Sequence, residues 1–465
     1  MAGLFSTLNS STMALNAHSR AIETTGKNLA NVNNPNYARQ RVVYGSRGTI
    51  DTPQGVESLG LEVMSITQLR DTLLDRQLMR EIGMSGSLEA EQQSLQRAQA
   101  GLGQVVSANG VATGGLASSL DKFFNAFQSL ATRPTDMGTR ESLLQQAQIL
   151  TDTLRETDAR LNQVQSDIDA QVGTNVSQAN TLIGTIAGLN SQISRFEVNR
   201  PGAAVDLRDQ RQALLEQLAT ILPVESRDLA DGQIQLVAKD AGNADIMLLD
   251  GSTVNGSVAF TGTGLTGGSP ATAIALGGGS IHGSLSARDG AVQSLRDNLD
   301  LLARQLVTSV NAAYNPSSTA GADFFDPAGL TAATIAVRSG LTGATIVTGS
   351  SGAAGDNTLA IAVAGLGTHA FSVGSGDLFD GTIGQFYSRS VSDLAQALST
   401  ANSRASDQDK IQQLVRNQRD SVSGVSLDEE MADLVRFQRA FQASSRVFTI
   451  IDGLLDNVVN QLGRG

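Results

Sequence analysis

Apolar residues recur every seven positions at both ends of this 465-residue chain, a spacing that belongs to long helices packed along partners. Near the start, Leu8, Leu15, Ile22 and Leu29 form one row, whereas the positions three residues after the first three are Ser11, His18 and Thr25. One strong row beside a polar one is too narrow to close a core alone, so the pattern predicts a helix that needs a partner. Asn33-Asn34-Pro35 ends it, because proline restricts its predecessor and asparagine tolerates left-handed backbone. At the other end, Leu427, Leu434, Phe441, Phe448, Leu455 and Leu462 keep the spacing, with Phe437, Ile451 and Val458 three residues after three of them. Ser426 is a candidate N-cap, and Asp428, Glu429 and Glu430 are first-turn acids that suit the helix dipole. Residues 1–50 carry five bases and one acid, and residues 427–465 six acids and four bases, which biases the two ends toward pairing.

Between the ends, Ala147, Leu154, Leu161, Ile168, Leu182, Leu189 and Phe196 hold the same spacing with one polar slip at Asn175, predicting a rod-like helix. Its candidate partners are helices over 88–106, 115–131, 206–222, 285–313 and 383–422. Two stretches read as β structure. The first, 223–283, has Gln233 to Val237 after an Asp231-Gly232 turn, then Asp250-Gly251 and Asn255-Gly256, all hairpin dipeptides. The second, 327–379, is rich in Gly, Ala, Thr and Val and offers strands over Thr334–Val337, Ala344–Val347 and Thr358–Val363. The expected fold is mainly α with inserted β: a long-helix bundle rod with paired N- and C-terminal helices and a small β-rich outer domain.

Chemistry finds little foothold. The chain has no Cys and no Trp and only three His, so thiolate ligands, thiol nucleophiles and disulfides are absent. A net charge of -12 argues against a general nucleic-acid or anionic-membrane binder. No apolar run approaches the ~20 residues of a bilayer span, and the first ten residues lack the pattern of a secretory signal peptide. A literal Gly-x-Gly-x-x-Gly at Gly262, Gly264 and Gly267 runs into Gly268-Ser269-Pro270 instead of the helix start that a dinucleotide's pyrophosphate needs. Ser119 and Lys122 have serine–lysine spacing but sit on an amphipathic segment without a companion motif. His18, His282 and His369 are isolated. These residues predict no catalytic, cofactor-binding or metal-binding site, and no enzyme.

Ala14 to Gln40 reads ALNAHSRAIETTGKNLANVNNPNYARQ and resembles the N-terminal motif of the flagellar rod, hook and hook-associated axial proteins, with Asn28, Leu29, Ala30, Asn31, Val32, Pro35 and Tyr37 as its core. Ser423 to Glu430, continuing through Phe437 to Ser444, resembles the matching C-terminus of that family. Asp206-Leu207-Arg208-Asp209-Gln210-Arg211, Gly283 to Gly290, Val310-Asn311-Ala312 and Ala322-Asp323-Phe324-Phe325 resemble segments of the hook-associated type at the first hook–filament junction, the FlgK type. A rod or hook subunit of the same family is the alternative, and the helical 139–222 tract speaks against it.

The resemblance implies a structural subunit exported unfolded through the flagellar type III channel without a cleaved signal peptide. It would polymerise at the distal end of the hook in a helical or ring-like axial assembly. The implied partners are copies of itself, the hook protein, the next junction protein and a cytoplasmic export chaperone that contacts Leu434, Phe441 and Phe448. Nucleic-acid binding and membrane insertion are not implied. The expected assembly interface is Leu8, Leu15, Ile22 and Leu29 with Leu427, Leu434, Phe441, Phe448, Leu455 and Leu462. The expected division is 1–50 with 423–465 as a coiled-coil axial core. Residues 51–222, 283–326 and 380–422 would form a helical rod, and 223–282 with 327–379 a β-rich outer domain.

Overall fold

The computed structural model describes residues 2–52, 55–58, 60–102, 115–353 and 355–460. The chain opens with α1 (Ala2–Ala30) and a β segment of β1 (Gln40–Ser46), β2 (Thr49–Thr52), β3 (Gly55–Ser58) and β4 (Leu61–Gln68). Four helices follow: α2 (Thr72–Gly101), α3 (Gly115–Thr132), α4 (Met137–Glu197) and α5 (Val205–Ile221). A second β segment holds β5 (Glu225–Asp228), β6 (Ile234–Lys239), β7 (Asp245–Asp250), β8 (Thr253–Val254), β9 (Ala259–Phe260), β10 (Leu265–Gly267) and β11 (Thr272–Ile274). The remainder is helical: α6 (Gly279–Ala287), a π-helical turn over Arg288–Val292, α7 (Gln293–Tyr314), α8 (Thr358–Gly365), a short 3-10 turn, α9 (Ile383–Ser423) and α10 (Leu427–Asn460). The fold is thus mainly α with inserted antiparallel β, its N- and C-terminal helices paired. Among the described residues no helix is long and apolar enough to cross a membrane.

The chain divides into two compact units, one of Met1–Ser85, Val176–Gly279 and Gln408–Gly465, the other of Gly86–Asn175 and Ser280–Asp407. In the first unit α1 packs along α10, and β1 pairs antiparallel with β4 beside α1. This hairpin was not expected, since residues 51–68 read as part of the helical rod. Its strands nonetheless alternate, with Val42 buried between exposed Arg41 and half-buried Val43, a period-2 pattern too short to stand out in so helical a chain. The same unit holds the expected sheet, in the order β5-β6-β7-β8, and a three-stranded β9-β10-β11 sheet. Two of the three hairpin dipeptides sit in its turns, Gly232 between β5 and β6 and Gly251 between β7 and β8, with φ of 82° and 58°, whereas Asn255-Gly256 (φ 79° at Gly256) leaves β8 for the next sheet instead of closing a hairpin. The Gly-x-Gly-x-x-Gly run lies in the β9–β10 turn and strand β10, and Gly267 packs against Leu248, Ile274 and Val258.

The second unit is built on an aromatic core. Helix α3 buries Leu116, Leu120, Phe123, Phe127 and Leu130, spaced three or four apart. Phe123 and Phe127 meet Phe324 with ring centroids 5.9 and 5.2 Å apart, and Phe324 meets Tyr314 at 5.3 Å. Asn311 fixes this core: its side chain donates to the Phe325 carbonyl at 3.0 Å and accepts from the Phe324 and Phe325 amides at 3.1 and 2.9 Å. Helix α6 approaches α2 so closely that a Cβ at Gly283 would run into the Ser87 carbonyl oxygen. Ser119 bonds to the Gly115 carbonyl and Thr153, and Lys122 is exposed.

The 327–379 stretch is not strand. Thr358–Gly365 is helix α8, packed on α3 and α7, and Thr334–Val337 and Ala344–Val347 lie in turns, with only isolated bridges at Phe325–Val337 and Phe371–Gly381. Two copies of a Leu-Thr-x-Ala-Thr-Ile run explain the difference. In each, the second threonine's hydroxyl accepts from the first threonine's amide, at 3.3 Å in Thr331–Thr334 and 2.9 Å in Thr342–Thr345. Threonine side chains here close turns locally and drive Ile335 and Ile346 into the core.

Candidate functional site: a polar clasp between the terminal helices

Helix α1 turns a stripe of small and polar residues inward: Ala17, Ala21, Thr24, Thr25 and Asn28 are all buried, Ala17 and Ala21 at 1% exposure. Small side chains at three- and four-residue spacing let two helix axes approach closely. The leucine row expected to do this work, Leu8, Leu15, Ile22 and Leu29, is half-buried along the flank. On α10 the inner face carries Glu430, Phe437, Ser444, Phe448, Ile451 and Leu455, of which Glu430, Ile451 and Leu455 are buried. Leu434 is half-buried, Leu427 and Phe441 are exposed, and Leu462 lies outside the described residues. Turned away from α1's side are Leu427, Met431 and Val435 near the start of α10 and Val447, Ile450 and Leu454 near its end, each between 43% and 64% exposed.

Asn28 is the centre of the clasp. Its amide nitrogen donates to the Gln40 carbonyl and to a Glu430 carboxylate oxygen, both at 2.9 Å, while its oxygen accepts from the Tyr37 hydroxyl at 2.9 Å and the Gln40 amide at 3.0 Å. Two donated and two accepted bonds exhaust an asparagine side chain, which is why it can sit 2% exposed. Glu430, equally buried, also takes Arg39 Nε at 2.7 Å, and Arg39 reaches Glu429 at 2.6 Å. Burial works against the Arg39 charge, but Glu430 and Glu429 outweigh it and hold the guanidinium above its ordinary pKa. The acids expected to serve the helix dipole therefore bind a cation from the other end of the chain.

Between Asn31 and Gln40 the chain makes a loop whose polar backbone is met on every side. Arg419 of α9 donates to the Pro35 carbonyl at 2.8 Å, Arg70 to the Asn36 carbonyl at 3.2 Å, and the Arg39 amide to the Ser423 carbonyl at 2.9 Å. The start of α5 supplies the rest: Asp209 accepts from the Ala38 amide at 3.4 Å, and Asp206 from Gln40 Nε2 at 3.0 Å. In the same hexapeptide, Arg208 pairs with Glu197 at 2.7 Å, and Arg211 donates to Asn190 and to the Gly232 carbonyl at 2.8 and 2.9 Å. Burial raises the Tyr37 phenol well beyond its usual range, reinforced by Asp209, Asp206 and Glu430, so it acts only as a neutral donor to Asn28.

Among the described residues no group of three His, Cys, Asp or Glu could hold a metal ion. The site offers hydrogen bonds that close a helix pair, with apolar rows left outside it. Residues that sequence spacing did not single out, namely Arg39, Gln40, Arg70 and Arg419, contribute most of its contacts. Only position in space relates them.

A family model described as the flagellar hook-associated protein FlgK helical domain matches residues 102–325, and one for the C-terminal part of flagellar basal body rod FlgEFG proteins matches residues 416–462. The flagellar hook-associated protein 1 of Bacillus subtilis is 26% identical over 517 aligned positions that take in all of both chains. The chain is similar to the FlgK-type flagellar hook-associated proteins over its helical middle and, at low identity, over its whole length. The hook-associated protein 1 of Salmonella typhimurium is 27% identical across 55% of this chain, and the match spans 43% of that protein's own length. A solved structure described as the flagellar hook junction protein FlgK from Burkholderia pseudomallei aligns at a TM-score of 0.46 with 20% identity, over 54% of this chain and 46% of that one. The hexapeptide at α5 and the Asn311 clamp both fall within the FlgK helical-domain match, whereas the α1 half of the clasp lies before it.

Proposed function

We propose that the chain is a structural, non-enzymatic subunit of the bacterial flagellum that polymerises at the distal end of the hook and forms the junction between hook and filament. The observation that carries this reading is the terminal-helix pair. It is closed within one chain by the Asn28–Glu430–Arg39 clasp, yet displays Leu427, Met431 and Val435 and then Val447, Ile450 and Leu454. A thin two-helix core with outward apolar rows gains most of its burial from neighbours, so copies of the chain and the hook protein are its natural partners. The terminal segments 1–50 and 423–465 would then be the axial part, and the helical and β segments between them the outer part that meets the next junction protein.

Localisation outside the cell on the flagellum, after export through the flagellar channel, follows from the same reading. So does a cytoplasmic chaperone for α10. Leu434 and Phe448 are half-buried against the α1 side, so a chaperone that seizes them together with Phe441 must act before α1 docks. The test is replacement of Ile450 and Leu454 together by Asp in a strain lacking the native gene copy. The expected result is secreted, folded protein that no longer decorates purified hook–basal bodies, seen by electron microscopy of a tagged chain. Normal decoration by the double variant would refute the role of this face.

A further inference from the structure

At the corner between β4 and α2, one guanidinium serves two buried carboxylates. Arg70 donates to Asp75 at 3.0 Å and to Asp209 at 2.6 Å, and the side chains of all three residues are 16%, 10% and 10% exposed. The second oxygen of each carboxylate, Asp75 Oδ1 and Asp209 Oδ2, is buried and accepts no bond from any described residue. The cluster therefore has one more negative charge than positive and two unsatisfied buried acceptors. It also has mechanical reach, because Asp209 holds the Ala38 amide and Arg70 holds the Asn36 carbonyl, the two ends of the Tyr37 turn that feeds the Asn28 clasp.

We propose that Asp75, Arg70 and Asp209 form a proton-controlled latch on the clasp, closed when Asp209 carries a proton and loosened when that proton is lost. A protonated Asp209 leaves Arg70 and Asp75 as a balanced pair, and its Oδ1 still accepts from Arg70 and Ala38. The ionised form restores the excess buried charge. Around Asp209 stand Asp206 on α5 itself, Asp75 on α2, Arg70 at the corner, Tyr37 in the loop with Glu430 behind it, and Lys27, which lines the same cleft from the end of α1. Burial pushes the Asp209 carboxyl up to about 6, Arg70 and the Ala38 amide pulling it down and Asp206 pushing it further up. A folded-state pKa raised above the ordinary aspartate value means that the stabilisation is fully present below pH ~4 and is lost as pH rises through about 6.

The test is hydrogen exchange on the full chain, following peptides over residues 35–40 from pH 5 to 7.5, corrected for intrinsic exchange rates. Wild-type protection is expected to fall roughly 10-fold across that interval. Asp209→Asn, which mimics the protonated acid, should remove the dependence, and Asp75→Asn, which gives Asp209 sole use of Arg70, should reduce it, while peptides over 116–130 behave as in wild type. Constant wild-type protection, or an undiminished dependence in Asp209→Asn, would overturn the latch. If Asp209→Asn does not fold, Asp75→Asn decides, since a dependence undiminished in it rules the two-carboxylate origin out.

Discussion

Asn28 illustrates how a single side chain can require a motif around it. Its four hydrogen bonds reach its own helix's exit strand, the Tyr37 turn and the first turn of α10. Asn28→Ala leaves the buried Glu430 oxygen, the Gln40 backbone and the Tyr37 hydroxyl without that partner, a loss of about 3 kcal/mol that urea unfolding should register. A change under ~1 kcal/mol would mean that water or a rotated Gln40 replaces the amide. The proton balance at Asp209 also belongs to this scale, because one guanidinium cannot neutralise two carboxylates whatever the helices around them do.

At the scale of elements, close approach decides what is tolerated. Helix α6 crosses α2 with Gly283 against the Ser87 carbonyl, and Ser87 Oγ lies 2.9 Å from His282 Nδ1. A methyl group at Gly283 meets backbone, which cannot rotate away. Gly283→Ala should therefore cost on the order of 2–3 kcal/mol despite alanine's better helix propensity, read as faster hydrogen exchange over 86–95 and 279–290. Exchange unchanged from wild type would show that the helices slide apart freely. The α1–α10 pair works by the same rule in a gentler form, since the fully buried Ala17 and Ala21 leave room for the facing helix to approach.

For the whole molecule, the two ends of the chain form one structure and must be kept together. Ile451 and Leu455 are the buried apolar anchors of α10, both in its last third. Removing residues 455–465 should unzip the far end of the pair and abolish incorporation into hooks, while hydrogen exchange over Gly115–Thr132 stays at the wild-type rate. Incorporation of the truncated chain at normal levels would count against the terminal pair as the assembly element.

The helices were legible in the sequence, because seven-residue rows and amphipathic stripes depend only on local spacing. The tract from Ala147 to Phe196 lies within α4, and the expected 115–131, 206–222 and 383–422 segments match α3, α5 and α9 within a residue or so. Hairpin dipeptides at Gly232 and Gly251 were equally local signals. Threonine-rich runs misled, because β propensity and turn capping draw on the same residue type, and only the Ile335 and Ile346 burial sites choose between them. The clasp was half legible. Asn28, Tyr37, Glu430 and the Asp206–Arg211 hexapeptide stood out as motifs, yet a motif does not say what it touches. That Asn28 meets a residue 402 positions away, and that Arg39 rather than a helix dipole claims Glu430, follow from burial and long-range hydrogen bonding. Those depend on how distant segments pack, which no local periodicity encodes.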